Sequence, residues 1–378
     1  MKTVILIDSF KGSLSSFSAG NAVKRAIQKV YTDSQVVVMP LADGGEGTVD
    51  ALVEGLNGVY RSVSVLDPLS RPITAKYGIV NGDTAVIEMS SASGITLITD
   101  AERNPLNTTT YGVGQMIKDA IDYGCRKFIV GIGGSATNDG GLGMLTALGY
   151  KFYDKTGNTI GVDGKSLENI SSIDDKEVIN QLKECEFMVA CDVENPLCGE
   201  NGCSAIYGPQ KGATPEIVKV MDGWLERFAD LTKKTLNVDY KNFAGVGAAG
   251  GLGFALKSYL GANLQSGISL ILNCINAEEQ IKDADFVVTG EGRLDGQSAM
   301  GKAPVGVAKL AKKYGKKVIA FSGCTGDGVE KVNANGIDAY FPILQKVVSL
   351  ETAMDVAVAK INLEKTAEQV FRLIKTIE

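Results

Sequence analysis

The start of the chain combines short apolar runs with a segment of helical periodicity. Residues 3–8 (TVILID) predict a buried strand, and residues 35–40 (QVVVMP) predict a second one. Between them lies a Ser/Gly-rich turn, and then apolar residues follow at helical spacing: Val23, Ala26, Ile27 and Val30. Strand, loop, helix and strand form a βαβ unit. Such units build parallel sheets with functional groups at the carboxyl ends of their strands.

The end of the chain repeats this order. Apolar runs predict strands at 285–290, 317–321 and 338–344, with a helix over about 302–314. A closing helix carries four apolar residues on one face: Ala367, Val370, Phe371 and Ile374. We therefore predict one discontinuous, doubly wound α/β domain. It comprises residues 1–65 and 280–378.

The middle of the chain has a different pattern. Residues 59–90 alternate and turn often, which favours antiparallel hairpins. A helix with its apolar face at 113–121 precedes the strand KFIVG, residues 154–185 are polar, and residues 187–193 predict another buried strand. We predict that residues 66–279 form an inserted second domain of mixed α/β structure.

The absence of histidine excludes the most chemistry. Without it there is no Ser-His-Asp or Cys-His triad, no His-ligated zinc or iron and no phosphohistidine. Any proton transfer must use Asp, Glu, Lys, Tyr or Cys.

Charge, cysteine content and hydropathy limit the binding partners and the cellular compartment that we expect. The net charge is −6, from 38 Lys and Arg against 44 Asp and Glu, so we expect no nucleic-acid partner. Seven cysteines without a Cys-x-x-Cys pair favour reduced thiols in a cytoplasmic protein. No run approaches the ~20 apolar residues that a membrane span needs, so no membrane partner is expected.

Glycine is clustered in four segments, which lie at residues 43–48, 131–143, 245–254 and 290–302. Each follows or opens a predicted element, where glycine lets backbone N–H groups approach an anion. Together they indicate phosphate handling, although no segment matches GxxxxGK[ST]. The alternative for each is that its glycines serve tight turns and close packing.

Acidic and basic residues accompany these loops. Asp8, Asp192 and Glu291 end predicted strands, where a desolvated carboxylate usually meets a cation or a substrate hydroxyl. Two or three carboxylates would hold the magnesium of a nucleotide, and one would orient or deprotonate an alcohol. Helix capping is the alternative, strongest for Asp43 and Asp139. Lysine suits phosphate and arginine suits carboxylate, whereas for Arg71 and Lys211 a solvated surface charge is an equal alternative.

Taken in order, the motifs resemble the bacterial glycerate kinase family, the type with two α/β domains. The motifs are DSFKGSLSS (8–16), PLADGGEGT (40–48), ERNPLNTTTYG (102–112), GIGGSATNDGGLGMLTALG (131–149), YGPQKGAT (207–214), GAAGGLGF (247–254) and VVTGEGRLDGQSAMGKAPVGVA (287–308). They cover nearly the whole chain at fitting spacing.

The resemblance implies ATP-dependent phosphorylation of D-glycerate, at the 2-hydroxyl, giving 2-phosphoglycerate with Mg²⁺ as cofactor. It also implies a Rossmann- or flavodoxin-like domain carrying a second α/β domain, with the site in the cleft between them. A product phosphorylated at the 3-hydroxyl, another hydroxy acid such as tartronate or erythronate, and a non-catalytic nucleotide-responsive protein are the alternatives. Monomer and homodimer both stay open.

Site residues follow from residue chemistry within these motifs. Asp192, with Asp8 second, is predicted to take the proton of the glycerate hydroxyl, and Lys11 and Lys302 to stabilise the transferring phosphoryl group. The other predicted contacts are Arg71, Arg103, Ser90 and Ser91 for glycerate; Gly133, Gly134, Ser135, Asn138, Asp139, Gly250 and Gly251 for nucleotide phosphates; and Glu291, Asp295 and Asp43 for magnesium.

Overall fold

The computed structural model describes all residues from Met1 to Glu378. The strands are β1 (Lys2–Ile7), β2 (Gln35–Pro40), β3 (Val59–Leu66), β4 (Pro72–Val80), β5 (Thr84–Glu88), β6 (Lys127–Gly131), β7 (Lys151–Tyr153), β8 (Ser172–Asp174), β9 (Glu186–Ala190), β10 (Asn263–Gln265), β11 (Phe286–Leu294), β12 (Lys317–Thr325) and β13 (Ala339–Pro342). The helices are α1 (Ser16–Val30), α2 (Thr48–Gly55), α3 (Ser90–Ser93), α4 (Tyr111–Tyr123), α5 (Leu142–Ala147), α6 (Cys203–Tyr207), α7 (Pro215–Leu236), α8 (Ala248–Leu260), α9 (Gly267–Cys274), α10 (Ala277–Lys282), α11 (Ala303–Lys313), α12 (Lys331–Ala334), α13 (Leu350–Met354) and α14 (Val356–Ile377). No helix combines the length and apolar character that crossing a membrane requires.

The first of two compact units joins both ends of the chain: Met1–Asp43, Asp50–Asn57 and Ile268–Glu378. Its sheet has five parallel strands in the order β13-β12-β11-β1-β2. Numbered within the unit, this is the flavodoxin-like order 2-1-3-4-5. Successive connections run to opposite sides of β1, so the order reverses between β1 and β11.

Helices α1 and α14 pack together on one face of this sheet. The core there joins Ile5 and Ile7 of β1 to Val288 of β11 and to Ala367 and Phe371 of α14. The apolar face of the closing helix therefore meets the sheet, as its periodicity predicts. Right-handed crossover connections place α11 on the opposite face.

Ser16, at the start of α1, fastens the carboxyl ends of the first two strands. Its buried hydroxyl donates to the carbonyl of Ile7 at 2.6 Å and accepts from the amide of Leu41 at 2.9 Å. Replacing it by alanine leaves both backbone groups without this partner. We expect Ser16→Ala to lower the free energy of unfolding by about 1–3 kcal/mol.

Calorimetry of the purified variants checks this expectation. Ser18→Ala is the matched control, because Ser18 lies in the same helix but is only half-buried. Equal transition temperatures for the two variants would contradict the bridging role of Ser16.

The second unit comprises Gly44–Val49 and Gly58–Gly267. Its main sheet has the order β10-β9-β6-β5-β4-β3, with the first four strands parallel and β4 antiparallel to both of its neighbours. Helices α4, α5, α7 and α8 contribute to its core. A separate two-stranded hairpin, β7-β8, lies within the polar middle segment.

The mixed α/β fold class, with a discontinuous parallel-sheet unit and an inserted mixed unit, is confirmed. Three details differ from the sequence interpretation. Residues 59–65, assigned above to the first domain, belong to the edge strand β3 of the second sheet. The segment from Gly290 is strand as far as Leu294 rather than loop. The 22-residue helix α7 has no counterpart in the elements predicted.

Candidate active site

Asp8 and Glu291 meet where the strand order of the first sheet reverses. Ile7 pairs with Gly290, and the amide of Asp8 donates to the carbonyl of Gly290 at 2.8 Å. Asp8 thus follows the end of β1 beside Glu291 on the neighbouring strand. In open α/β sheets this switch point, at the carboxyl edge, is where ligands bind.

Asp8 is the most perturbed carboxyl group of this edge. Its side chain is buried and accepts a hydrogen bond from the amide of Ser9 at 2.7 Å. Burial, reinforced by the negative charge of Asp43, raises the pKa of Asp8 to about 7. A carboxyl group with such a pKa can exchange a proton near neutral pH, as a general base requires.

The loop after β1 is a tight turn that presents Lys11. Phe10 and Leu14 exchange backbone hydrogen bonds of 2.8 and 3.0 Å, and Gly12 takes a left-handed conformation with φ of 76°. The Lys11 side chain stays exposed, with its Nζ atom 3.9 Å from a carboxylate oxygen of Asp43. A cation held this loosely is available to an anionic ligand.

Glu291 carries an uncompensated oxygen. Its Oε1 atom is buried without a hydrogen-bond partner, and burial raises the pKa of its carboxyl group. Asp295 differs, since its Oδ1 atom accepts from the amides of Gln297 and Ser298 at 2.9 and 3.2 Å. Lys302, exposed, immediately precedes α11. The second oxygen of Asp295 lies 3.5 Å from the Nε atom of Arg293, so of Glu291 and Asp295 only Glu291 has a buried oxygen without a partner.

These side chains line one cavity of about 500 Å³, which lies wholly within the first unit. The charged groups in its lining are Asp8, Lys11, Asp43, Glu291, Arg293, Asp295 and Lys302. Six of the predicted site residues are therefore brought together, and Arg293 joins them. Five apolar lining residues come from the segment between β13 and α14, which the sequence analysis did not connect with the site: Ile343, Leu344, Leu350, Ala353 and Met354.

The other predicted site residues belong to the second unit. Ser90 and Ser91 follow β5, the Gly133–Ser135 turn follows β6, and Asp192 follows β9. These three strands are adjacent and parallel, so their carboxyl ends share one edge. Asp192 is exposed, and one of its oxygens accepts from the amide of Gly267 at 2.9 Å.

Four residues predicted to bind nucleotide phosphates are used in internal packing. Asp139 is fully buried and accepts from Thr110 and from the amides of Gly141 and Gly143, at the start of α5. The Asn138 amide nitrogen donates to Ser204 at 2.8 Å. Gly250 and Gly251 form a buried left-handed kink, in which a Cβ on Gly250 would lie 2.0 Å from a backbone oxygen. These contacts match the packing and capping alternatives.

The two predicted carboxylate-binding arginines are ion-paired. Arg71 contacts Asp67 at 2.6 Å and Glu102 at 2.7 Å, and its third nitrogen lies 3.4 Å from a backbone carbonyl. Arg103 pairs with Asp100 at 2.7 Å, while its buried Nε atom has no partner. Arg71 thus ties two loops of the second unit together. Its role in glycerate binding stays a prediction, as does that of Arg103.

Lys211 is the buried cation of the second unit. Its ammonium group donates to the Ser135 hydroxyl at 2.8 Å and to the Thr137 carbonyl at 2.6 Å. Burial lowers its pKa to about 8. The sequence left Lys211 open between a surface charge and an anion ligand, but its burial excludes the first. Whether this lysine is exposed or buried depends on tertiary packing, so no local sequence pattern indicated that Lys211 is buried.

This lowered pKa makes stability depend on pH. Between about pH 8 and 10.5 the unfolded chain keeps the Lys211 proton that the folded chain has released. More protons on the unfolded state mean that stability rises with pH. Relative to Lys211→Met, we expect the wild type to gain roughly 3 kcal/mol across this window.

Urea unfolding from pH 7 to 10.5 measures this gain. The fluorescence of Trp224, the chain's one tryptophan, reports on α7 of the second unit. Lys219→Met, at an exposed position of α7, is the control. A stability difference between wild type and Lys211→Met that stays constant with pH would refute the shift.

The fold and this edge define a class of protein. A flavodoxin-like sheet whose switch point gathers carboxylates and lysines around a cavity is the arrangement of an α/β enzyme acting on an anionic, phosphate-bearing ligand. Proton chemistry in it rests on carboxylates, because the chain contains no histidine.

Comparison with known proteins makes the class specific. The family model described as "Glycerate kinase family" matches residues 3–375. The chain is 47% identical over 354 residues to a glycerate 2-kinase of Escherichia coli, covering 93% of each protein, and 45% identical to a glycerate kinase of Haemophilus influenzae, covering 99% of each. The crystal structure of a glycerate kinase 2 candidate from Salmonella typhimurium superposes with a TM-score of 0.92 at 44% identity, covering 100% of this chain and 98% of that one. The chain belongs to the glycerate kinase family, as its motifs predict, and is an ATP-dependent kinase.

Proposed function

We propose that this protein transfers the terminal phosphoryl group of ATP to the 2-hydroxyl of D-glycerate, giving 2-phosphoglycerate and ADP. The substrate follows from family membership and from the relatives' names, and the position follows from the E. coli relative named glycerate 2-kinase. The observation that carries the chemistry is the cavity of the first unit. It is lined by Asp8, whose carboxyl group has a pKa near neutrality, and by Glu291, which has a carboxylate oxygen without a hydrogen-bond partner. The exposed lysines Lys11 and Lys302 line the same cavity.

The residues present fit a magnesium ion bound together with a nucleotide. No three carboxylates or thiols of the chain are close enough to enclose a metal ion on their own. Mg²⁺, however, is usually held by one or two carboxylates and completed by water and phosphate oxygens. Glu291, with its unpartnered Oε1 atom, and Asp43 would supply the protein ligands. The ion would neutralise phosphate charge, whereas Asp295 is better suited to organising its own loop.

Each side chain of the cavity then has a role. Asp8 accepts the proton of the attacking hydroxyl, because burial keeps its carboxylate basic enough to do so. Lys11 and Lys302 place positive charge on the phosphoryl oxygens, where phosphoryl transfer needs neutralisation more than covalent help. Asp192 is retained as the competing proton acceptor, since it ends a strand of the second sheet.

Two aspects of the setting are proposed with the reaction. All seven cysteines are free, which is compatible with the reducing cytoplasm predicted from the sequence. The thiols of Cys198 and Cys203 have pKa values raised by burial, so they are poor nucleophiles. The fold and family leave monomer and homodimer as equal alternatives.

A coupled assay tests the proposal. The protein is supplied with ATP, Mg²⁺ and D-glycerate, and enolase, pyruvate kinase and lactate dehydrogenase are added with or without phosphoglycerate mutase. Oxidation of NADH without the mutase shows that 2-phosphoglycerate is formed. Omitting enolase is the control, because 2-phosphoglycerate then has no route to phosphoenolpyruvate and the signal must disappear. A signal that needs the mutase assigns the 3-hydroxyl. When phosphoenolpyruvate is supplied and enolase is left out, NADH oxidation reports ADP for any acceptor, and ADP formed with tartronate or erythronate but not with glycerate assigns another substrate.

A further inference from the structure

Part of the lining of the cavity in the first unit is apolar. We call this surface the apolar wall. It consists of Phe10, Ile343, Leu344, Leu350, Ala353 and Met354. Phe10 and Ile343 are buried, but Leu344, Met354 and Leu350 expose 40%, 37% and 77% of their surface. The wall thus ends in apolar side chains that face open space beside a charged cavity.

The wall is attached to the same loop that presents Lys11. A Cβ on Gly12 would lie 2.9 Å from the terminal methyl group of Met354, so this side chain covers the turn after β1. Ile343 is anchored by a hydrogen bond of 2.9 Å from its amide to the carbonyl of Ser322, next to β13. The apolar and charged ends are therefore built on one scaffold.

The layout of the sheet gives the cavity a length. Ile343 and Leu344, at the far end of the wall, follow β13, whereas Glu291 lies on β11, two strands away. Neighbouring strands are about 4.8 Å apart, so these ends are separated by roughly 10 Å. That span suits a ligand with an apolar, flat group at one end and several negative charges at the other. A purine nucleotide has this form.

We infer that the apolar wall binds the adenine base of ATP, so that the triphosphate extends along the sheet edge towards Lys11, Glu291 and Lys302. The inference rests on the proposed function, since it takes ATP as the phosphoryl donor. It places the base on the first unit, whereas the sequence motifs had indicated nucleotide contacts at the glycine-rich turns of the second unit.

Binding measurements on three variants test the inference, with two ligands. Calorimetric titrations compare Mg·ATP with Mg·tripolyphosphate, which has the charged chain but no base. Leu344→Ser, Leu350→Ser and Met354→Ser should each weaken ATP binding about tenfold, because part of the surface that covers the base is removed. Tripolyphosphate binding should change less than twofold. Leu373→Ser, at an exposed apolar position of α14, is the matched control and should bind both ligands like the wild type.

The outcomes separate this inference from the proposed function. Unchanged ATP affinity in all three variants overturns the assignment of the wall, even if glycerate is phosphorylated normally. An equal loss of ATP and tripolyphosphate binding also overturns it, because the wall would then act on the phosphate end. A selective loss of ATP binding supports it even if the acceptor is a hydroxy acid other than glycerate. Leu350 is so exposed that its replacement leaves the fold intact.

Discussion

Asp8→Asn is expected to lower kcat by about a thousandfold while leaving the affinity for ATP within a few-fold of wild type. Asparagine keeps the shape of the side chain and can still accept the hydrogen bond from the Ser9 amide. It cannot take the proton of an attacking hydroxyl. Steady-state kinetics with varied ATP and glycerate measure both quantities.

The pH profile distinguishes proton transfer from a merely structural role. Because the pKa of Asp8 is raised to about 7, its carboxylate is lost as the pH falls below neutrality. The wild-type kcat/KM should therefore decline on the acid side of about pH 7, and the residual activity of Asp8→Asn should lack this limb. Asp33→Asn, in an exposed turn of the same unit, controls for the substitution itself.

Asp192→Asn decides between the two proposed proton acceptors. A loss of several orders of magnitude in that variant, together with near-normal turnover of Asp8→Asn, would assign the proton to Asp192. The structure favours Asp8, since Asp192 is exposed and already accepts a hydrogen bond from the Gly267 amide.

The groups at the site could be predicted from sequence because parallel strands place their carboxyl ends together. Asp8 and Glu291 both follow apolar runs, which was enough to single them out. Their pairing was beyond prediction, because the register between Ile7 and Gly290 joins residues almost 300 positions apart. Local periodicity carries no information about such long-range partners.

Glycine patterns misled for a physical reason. Glycine is disfavoured inside strands, so the sequence from Gly290 was interpreted as a loop. In the structure a Cβ on Gly290 would lie 2.0 Å from the carbonyl oxygen of Phe321, so close approach to β12 requires glycine there. Gly250 and Gly251 also lie too close to neighbouring backbone atoms of the second unit for a side chain to fit. Close packing and anion binding select the same residue, and composition alone cannot separate them.

The apolar wall escaped the sequence analysis because apolar residues were taken to mark buried elements. Leu344 was included in the strand predicted at 338–344, and Leu350 begins the short helix α13, yet both side chains remain exposed. The available signal was the helical spacing of Leu350, Ala353 and Met354, a short apolar face between the last predicted strand and the closing helix.

Glu291→Gln is expected to raise the Mg²⁺ concentration needed for half-maximal activity at least about tenfold, with kcat recovering in part at high Mg²⁺. Glutamine has the same shape as glutamate but removes the negative charge from a carboxylate whose buried Oε1 atom has no hydrogen-bond partner. Direct titration of Mn²⁺ in the presence of ADP, followed by electron paramagnetic resonance, gives a readout independent of turnover.

The same experiment on Asp295→Asn separates a metal ligand from a loop-organising carboxylate. The Asp295 side chain already accepts two backbone amides, so its replacement should destabilise the turn at 295–298 with little effect on Mn²⁺ binding. Glu279→Gln, on the exposed surface of α10, is the neutral control. If Asp295→Asn weakens Mn²⁺ binding as much as Glu291→Gln does, both carboxylates hold the ion. If neither variant changes it, the orphan oxygen of Glu291 serves another group, and Lys302, whose charge lowers the pKa of Glu291, is the first candidate.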